Sequence, residues 1–203
     1  MKKLYVVLGS GLMLTALSTS AVLLLSGRGS QPPSLQGSSG VLASTVFKND
    51  TYGLSLSYPV ETEVINLSEQ DKKDKFVLKL QHVTRPEYLI NVKAETGLRL
   101  PAQLAKLDVV DLVVDGAIKA LPSRYPGYKL INQEKLMVEG RAGAVIEFTY
   151  LGPAKELIHQ RLLLIEKDID TALYFTMQSR DSDFLDLEAS IFDQLQASIE
   201  LDK

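Results

Sequence analysis

An α+β domain, an antiparallel sheet covered by helices in an α/β/α sandwich, is the fold the sequence predicts. Three observations predict it. Apolar residues alternate with period two in short segments from residue 46 onward. Two other segments repeat apolar residues every three or four positions. The segments run strands, helix, strands, helix.

The first strand signal is Leu54-Ser55-Leu56-Ser57-Tyr58, which stops at Pro59. Residues 62–67 form a second strand, and residues 68–74 (SEQDKKD) read as a charged turn. Residues 76–80 and 88–92 are two more strands, with Pro86 in their connection, where its missing N–H costs no ladder bond. Residues 102–121 predict the first helix, with Leu104, Leu107, Val114, Ile118 and Leu121 along one stripe. Its four valines at 109, 110, 113 and 114 lower helix propensity, so packing has to stabilise it. Pro122, Pro126 and Gly127 are the expected stop. Strands at 128–138, 142–150, 157–166 and 172–178 follow, with turns at Glu139-Gly140-Arg141 and at residues 167–170. In the second of these, Ala144, Ile146 and Phe148 share one face and Val145, Glu147 and Thr149 the other. Residues 183–199 predict the last helix, with Phe184, Leu187, Ile191, Leu195 and Ile199 in its stripe and Ser182 as its cap.

A targeting segment precedes the domain. Residues 4–25 carry no charged side chain, and Lys2 and Lys3 stand before them. About 20 apolar residues span a bilayer core, and leading lysines favour a cytoplasmic start. The length favours an uncleaved signal anchor over a signal peptide, although Ser18-Thr19-Ser20 and Val41-Leu42-Ala43 offer small-residue cleavage positions. Either way the remainder is exported. Residues 26–45 are rich in Gly, Ser and Pro and read as a flexible tether. The expected division is therefore 1–25 anchor, 26–45 tether and 46–203 domain.

Composition excludes several functions. The chain has 203 residues and no cysteine, which removes disulfides, thiolate metal sites, a cysteine nucleophile and a lipoprotein anchor. Lys2, Lys3 and Arg28 are the only charges before residue 44, so the remainder holds 19 basic and 25 acidic residues, a net of −6. Such a domain lacks the positive field that drives nucleic-acid binding. No Gly-x-Ser-x-Gly, no His-Glu-x-x-His and no phosphate-binding glycine loop is present. A binding role is therefore expected rather than an enzyme.

The domain opens with Phe47, Tyr52-Gly53 and Tyr58-Pro59 at fixed spacing. Gly140-Arg141-Ala142-Gly143-Ala144 leads into Ile146-Glu147-Phe148-Thr149-Tyr150, and Leu173-Tyr174-Phe175-Thr176-Met177 precedes a final helix containing Phe192. These features resemble the PsbP-like domain, shared by the extrinsic PsbP proteins of photosystem II and by bacterial PsbP-like secreted proteins. The resemblance spans residues 46–203. It implies a non-enzymatic accessory or assembly protein of a membrane complex, within or outside photosynthesis, and transfers no site residue to this chain. A small-ligand or lipid-binding module, with a cavity between sheet and helix, is the alternative.

Local candidates are few. Glu166, Asp168 and Asp170 offer oxygens to calcium or manganese, but their spacing does not match an EF-hand, and a solvated hairpin turn explains them. No cofactor is expected. His82 and His159 could share a metal only if the fold brought them together. The loop Arg124-Tyr125-Pro126-Gly127-Tyr128 carries residue types enriched at binding hot spots, so Arg124, Tyr125 and Tyr128 are the expected partner contacts. The valine-rich helix beside it is either buried or a second apolar docking strip.

Overall fold

The computed structural model describes residues 44–98, 109–187 and 191–202. The anchor, nearly all of the tether and the first seven residues of the predicted 102–121 helix lie outside the described residues. Among the described residues, no helix is long and apolar enough to cross a membrane.

Alternation builds two antiparallel sheets. The smaller has the order β1 (Ser44–Asn49), β2 (Leu54–Pro59) and β10 (Glu200–Leu201). The larger has seven strands, in the order β3 (Thr62–Val64), β4 (Phe76–His82), β5 (Leu89–Thr96), β9 (Thr171–Arg180), β8 (Leu157–Asp168), β7 (Arg141–Leu151) and β6 (Lys129–Val138). Glu139 and Gly140 both have positive φ, 51° and 73°, between Val138 and Arg141, which pair directly. That is the two-residue hairpin turn whose twist matches its strands.

Each strand's two faces feed two core layers. On one face Ala144, Ile146, Phe148, Leu162, Leu164 and Tyr174 pack beneath α2 (Val109–Arg124). On the other, Val145, Leu163, Ile165, Phe175 and Met177 meet α3 (Asp181–Leu187), α4 (Asp193–Ala197) and Leu54 and Leu56 of β2. Burying each such side chain is worth about 1.5–3 kcal/mol, so these layers fix the strand register.

Several elements differ from expectation. The 68–74 segment is not a turn but contains the short helix α1 (Glu69–Lys73). Its Ser68 Oγ accepts from the Asp71 N–H while the Asp71 carboxylate accepts from the Ser68 N–H, a reciprocal cap that the charge density obscured. Burial works against the Asp71 charge, but hydrogen bonds from Lys79 and Ser68 outweigh it and hold the carboxyl below its ordinary pKa. The strand expected over 62–67 ends at Val64. The first helix runs past Pro122 to Arg124, since a proline in the last turn leaves the preceding turns intact. Within the predicted final helix, α3 and α4 are α-helical, while Ile191 and Phe192 have wide-turn geometry and are both buried, at 3% and 0% exposure. Ser182 lies inside α3 and is not its cap. The valine strip is core: Val110, Val113 and Val114 are buried against the sheet. It therefore offers no docking surface. The tether's expected end at 45 moves back, because β1 starts at Ser44.

Candidate functional site

The end of the large sheet where α2 terminates gathers the predicted partner residues. Arg124 is the last residue of α2 and is exposed. The chain then wraps the end of β7. Leu151 donates its N–H to the Pro126 carbonyl at 2.8 Å, and Tyr128 donates to the Tyr125 carbonyl at 3.1 Å. Gly127 has φ +68°, and a Cβ there would lie 2.9 Å from Leu151 Cγ, so only glycine fits this close wrap.

Tyr125 and Tyr128 are half-buried rather than exposed. The Tyr125 ring centroid lies 4.5 Å from Tyr150 and 5.3 Å from Phe148, and Tyr128 lies 5.2 Å from Phe148. Burial raises the hydroxyl pKa of both, and a hydrogen bond to Gln160 partly offsets this for Tyr125. Burial, with Tyr125 and Glu156 nearby, pushes Tyr150 up further. The rings brace the loop, while Leu151 and Leu157, which pair across the hairpin and are 42% and 44% exposed, lie on the other face of the strands, with Leu151 against the loop at Gly127.

A second cluster, on the opposite face, was not anticipated. His159 is buried, with Nε2 2.8 Å from Glu147 Oε1 and Nδ1 3.0 Å from Asp181 Oδ1. Its ring stacks on Phe184 at 3.6 Å and 5°. Two strands and a helix therefore meet at one imidazole, which pins α3 to the sheet. Next to it, Arg161 Nη1 lies 3.6 Å from Asp193 Oδ1, and its guanidinium sits 5.5 Å from the Phe192 centroid. The available signal was parity: Glu147 and His159 are polar residues on the apolar face of adjacent strands. Both ring nitrogens face carboxylates, so the imidazole has no lone pair directed at a substrate.

The other candidates stand apart. β5 and β9 separate β4 from β8, so His82 and His159 lie about 14 Å apart at ~4.8 Å per strand. The His82 ring instead meets the edge of Tyr88 and takes the Thr84 N–H at 3.2 Å, and burial, with Arg85 nearby, lowers its pKa. At the β8–β9 turn, Asp168 Oδ1 accepts from the Asp170 N–H at 2.9 Å. Burial opposes the Asp168 charge, but this and a hydrogen bond from Thr171 hold its pKa down. Glu166 pairs in register with Ala172 before the turn. Among the described residues, no three His, Asp or Glu side chains converge as a metal site would require.

Solved structures with this architecture confirm the resemblance. The solution structure of cyanobacterial PsbP (CyanoP) from Synechocystis sp. PCC 6803 superposes with a TM-score of 0.59 at 13% identity, covering 85% of this chain and 100% of that one. The fold is PsbP-like. The crystal structure of LpqN, involved in cell envelope biogenesis of Mycobacterium tuberculosis, matches at a TM-score of 0.53 and 12% identity, over 81% of this chain and 93% of LpqN. A Bacteroides thetaiotaomicron structure matches at 0.51 and 11% identity, with 78% of this chain on 48% of that one. No family model and no curated protein matches the sequence.

Proposed function

We propose that this chain is a membrane-tethered, extracytoplasmic accessory domain that docks a protein of a membrane complex through the loop-wrapped end of its large sheet. The observation that carries the reading is the exposed sheet end where Arg124 and Pro126 lie beside the braced rings of Tyr125 and Tyr128, and where the exposed pair Leu151 and Leu157 meets the loop from the other face of the strands. An exposed arginine beside apolar side chains on a rigid base is the composition of a binding hot spot. The PsbP-like fold, and a structural neighbour involved in cell envelope biogenesis, support a non-enzymatic role at a membrane. The apolar charge-free segment at residues 4–25 supports export and tethering. The lipid-cavity alternative has less support, because the space between sheet and α2 holds Val110, Val114, Leu121, Ile146, Phe148 and Leu162 packed together.

The test is cross-linked capture of the tagged full chain from its native membranes, compared with a Leu151→Glu, Leu157→Glu double variant. Both side chains are half-exposed, so the fold tolerates the change. One recurrent membrane complex, lost in the double variant, is the expected result. A partner held equally by the variant overturns the assignment of the surface.

A further inference from the structure

β6 is the long open edge of the seven-stranded sheet. It pairs with β7 on one side, and among the described residues no strand lies on the other. We infer that this edge receives an extended segment of a partner protein as an added antiparallel strand, with an acidic residue opposite Lys129 and a basic residue opposite Glu134. The inference goes beyond the sheet-end surface and does not depend on it.

Shape comes first. An edge strand presents a row of unpaired backbone N–H and C=O groups, and folds commonly blunt such edges by keeping them short. The opposite edge of this sheet follows that rule, since β3 has three residues. β6 has ten, about twice the mean strand length. None of residues 129–135 is buried, whichever face they occupy. Leu130, Ile131 and Met137 are exposed apolar side chains, Met137 at 66%. The fold therefore uses one side of the β6 backbone and little of its side-chain surface. Strand addition uses the rest: the backbone supplies hydrogen bonds, and alternate side chains supply selectivity.

Register then selects the occupant. Lys129 pairs with Thr149 and Glu134 with Val145, so both charges lie on one face of the sheet. The bulge at Ile131 takes one residue out of the count, which sets these charges four positions apart on a facing strand, as Val145 and Thr149 are. Both are exposed, and among the described residues neither forms an ion pair. Opposite charges across a strand pair attract and like charges repel. On the other face Leu130 and Met137 call for apolar partners, while Lys135 is already held by Asp111 of α2 at 2.5 Å. A second copy of the chain fits less well. Two-fold antiparallel pairing centred on Glu134 or Lys135 sets like charges face to face, and centred on Gln133 it carries the Ile131 bulge into both strands. The bulge and the charges turn away unmatched strands, which makes this edge selective.

The test uses the 15N-labelled full chain in detergent micelles. The probe is acetyl-Thr-Val-Thr-Val-Lys-Thr-Thr-Val-Glu-amide, whose lysine and glutamate fall opposite Glu134 and Lys129. The control peptide exchanges that lysine and glutamate and keeps the composition and net charge. The matched peptide is expected to shift the amide signals of residues 129–138 and to slow hydrogen exchange at the outward N–H groups of β6. The control is expected to bind about tenfold more weakly. In a Lys129→Glu, Glu134→Lys double variant, two exposed positions, the preference is expected to reverse. No response in β6 at several millimolar matched peptide, equal affinity for the two peptides, or a response confined to another edge would overturn the proposal. A dimer of the full chain in sedimentation velocity, with β6 protected from exchange before any peptide is added, would assign the edge to a second copy and overturn it as well. Capture from membranes reports on the sheet end and the peptides report on β6, so either reading can fail without the other.

Discussion

Replacing His159 by alanine tests whether one imidazole holds α3 on the sheet. The structure supplies the size of the effect. The change deletes two hydrogen bonds, to Glu147 and Asp181, each worth about 0.5–1.5 kcal/mol net. It also deletes a ring stacked on the fully buried Phe184, worth about 0.5–1.5 kcal/mol beyond its area. Glu147 is left half-buried, but Arg161 stands directly across from it and can take over its charge, which limits the loss. The expected cost is about 2–4 kcal/mol, or roughly 5–15 °C in Tm for a domain of this size. Asp181→Asn should cost much less, under about 1 kcal/mol, since that side chain is 43% exposed and the amide keeps an acceptor oxygen. Thermal and urea unfolding of the full chain, followed by near-ultraviolet circular dichroism, measures both. Hydrogen exchange should rise in α3 before it rises in β7 and β8. A His159→Ala variant within about 0.5 kcal/mol of the parent, or an Asp181→Asn variant as damaged as His159→Ala, would refute the reasoning.

Three further outcomes follow from single positions. The Asp71 pKa is lowered on folding, so its contribution is fully present above the ordinary carboxylate range and is lost as pH falls through the folded value. Urea midpoints measured from pH 6 to pH 3 should therefore fall at the acid end, and fall less steeply in Lys79→Met or Ser68→Ala. The glycines should separate by context: Gly143→Ala places a Cβ 2.7 Å from the Leu164 carbonyl oxygen and should cost more than about 1 kcal/mol, whereas Gly116→Ala meets nothing within 4 Å in α2 and should gain about 0.5–1 kcal/mol in the same melts. At the β8–β9 turn the Asp168 carboxylate already accepts a backbone N–H, so millimolar calcium or manganese should leave Tm unchanged. A rise with either ion would establish a metal site there.

The core was legible because its signals are local. Alternation in residues 142–150 placed Ile146 and Phe148 on one face and Val145 and Glu147 on the other, and both core layers follow that division. The turn at Glu139-Gly140 was equally readable, because two consecutive positive φ values need a glycine. The features that were missed depend on contacts between distant segments. The reciprocal cap of Ser68 and Asp71 competes with four other charges in the same seven residues. The wide turn at Ile191 and Phe192 buries two adjacent side chains against β-strands far away in sequence, which a regular helical repeat does not report. The half-burial of Tyr125 and Tyr128 depends on Phe148 and Tyr150 lying beneath them, and the sequence alone presented both tyrosines as surface residues.

The two faces of β8 account for why docking is assigned to one end of the molecule and not to the histidine. Alternation sends His159 and Arg161 to the α3 side, where the imidazole nitrogens face Glu147 and Asp181 and the Arg161 guanidinium faces Asp193. Groups paired in this way take a new partner only by giving up those contacts. The intervening Gln160 points to the α2 side, across from Phe148 and among the aromatic rings that brace the loop of residues 125–128. A partner gains most from a surface whose side chains are already held in place, because less ordering is lost on binding. The difference between residues 159 and 160 is a difference of face alone, and it separates the part of this fold that holds itself together from the part with capacity left for something else.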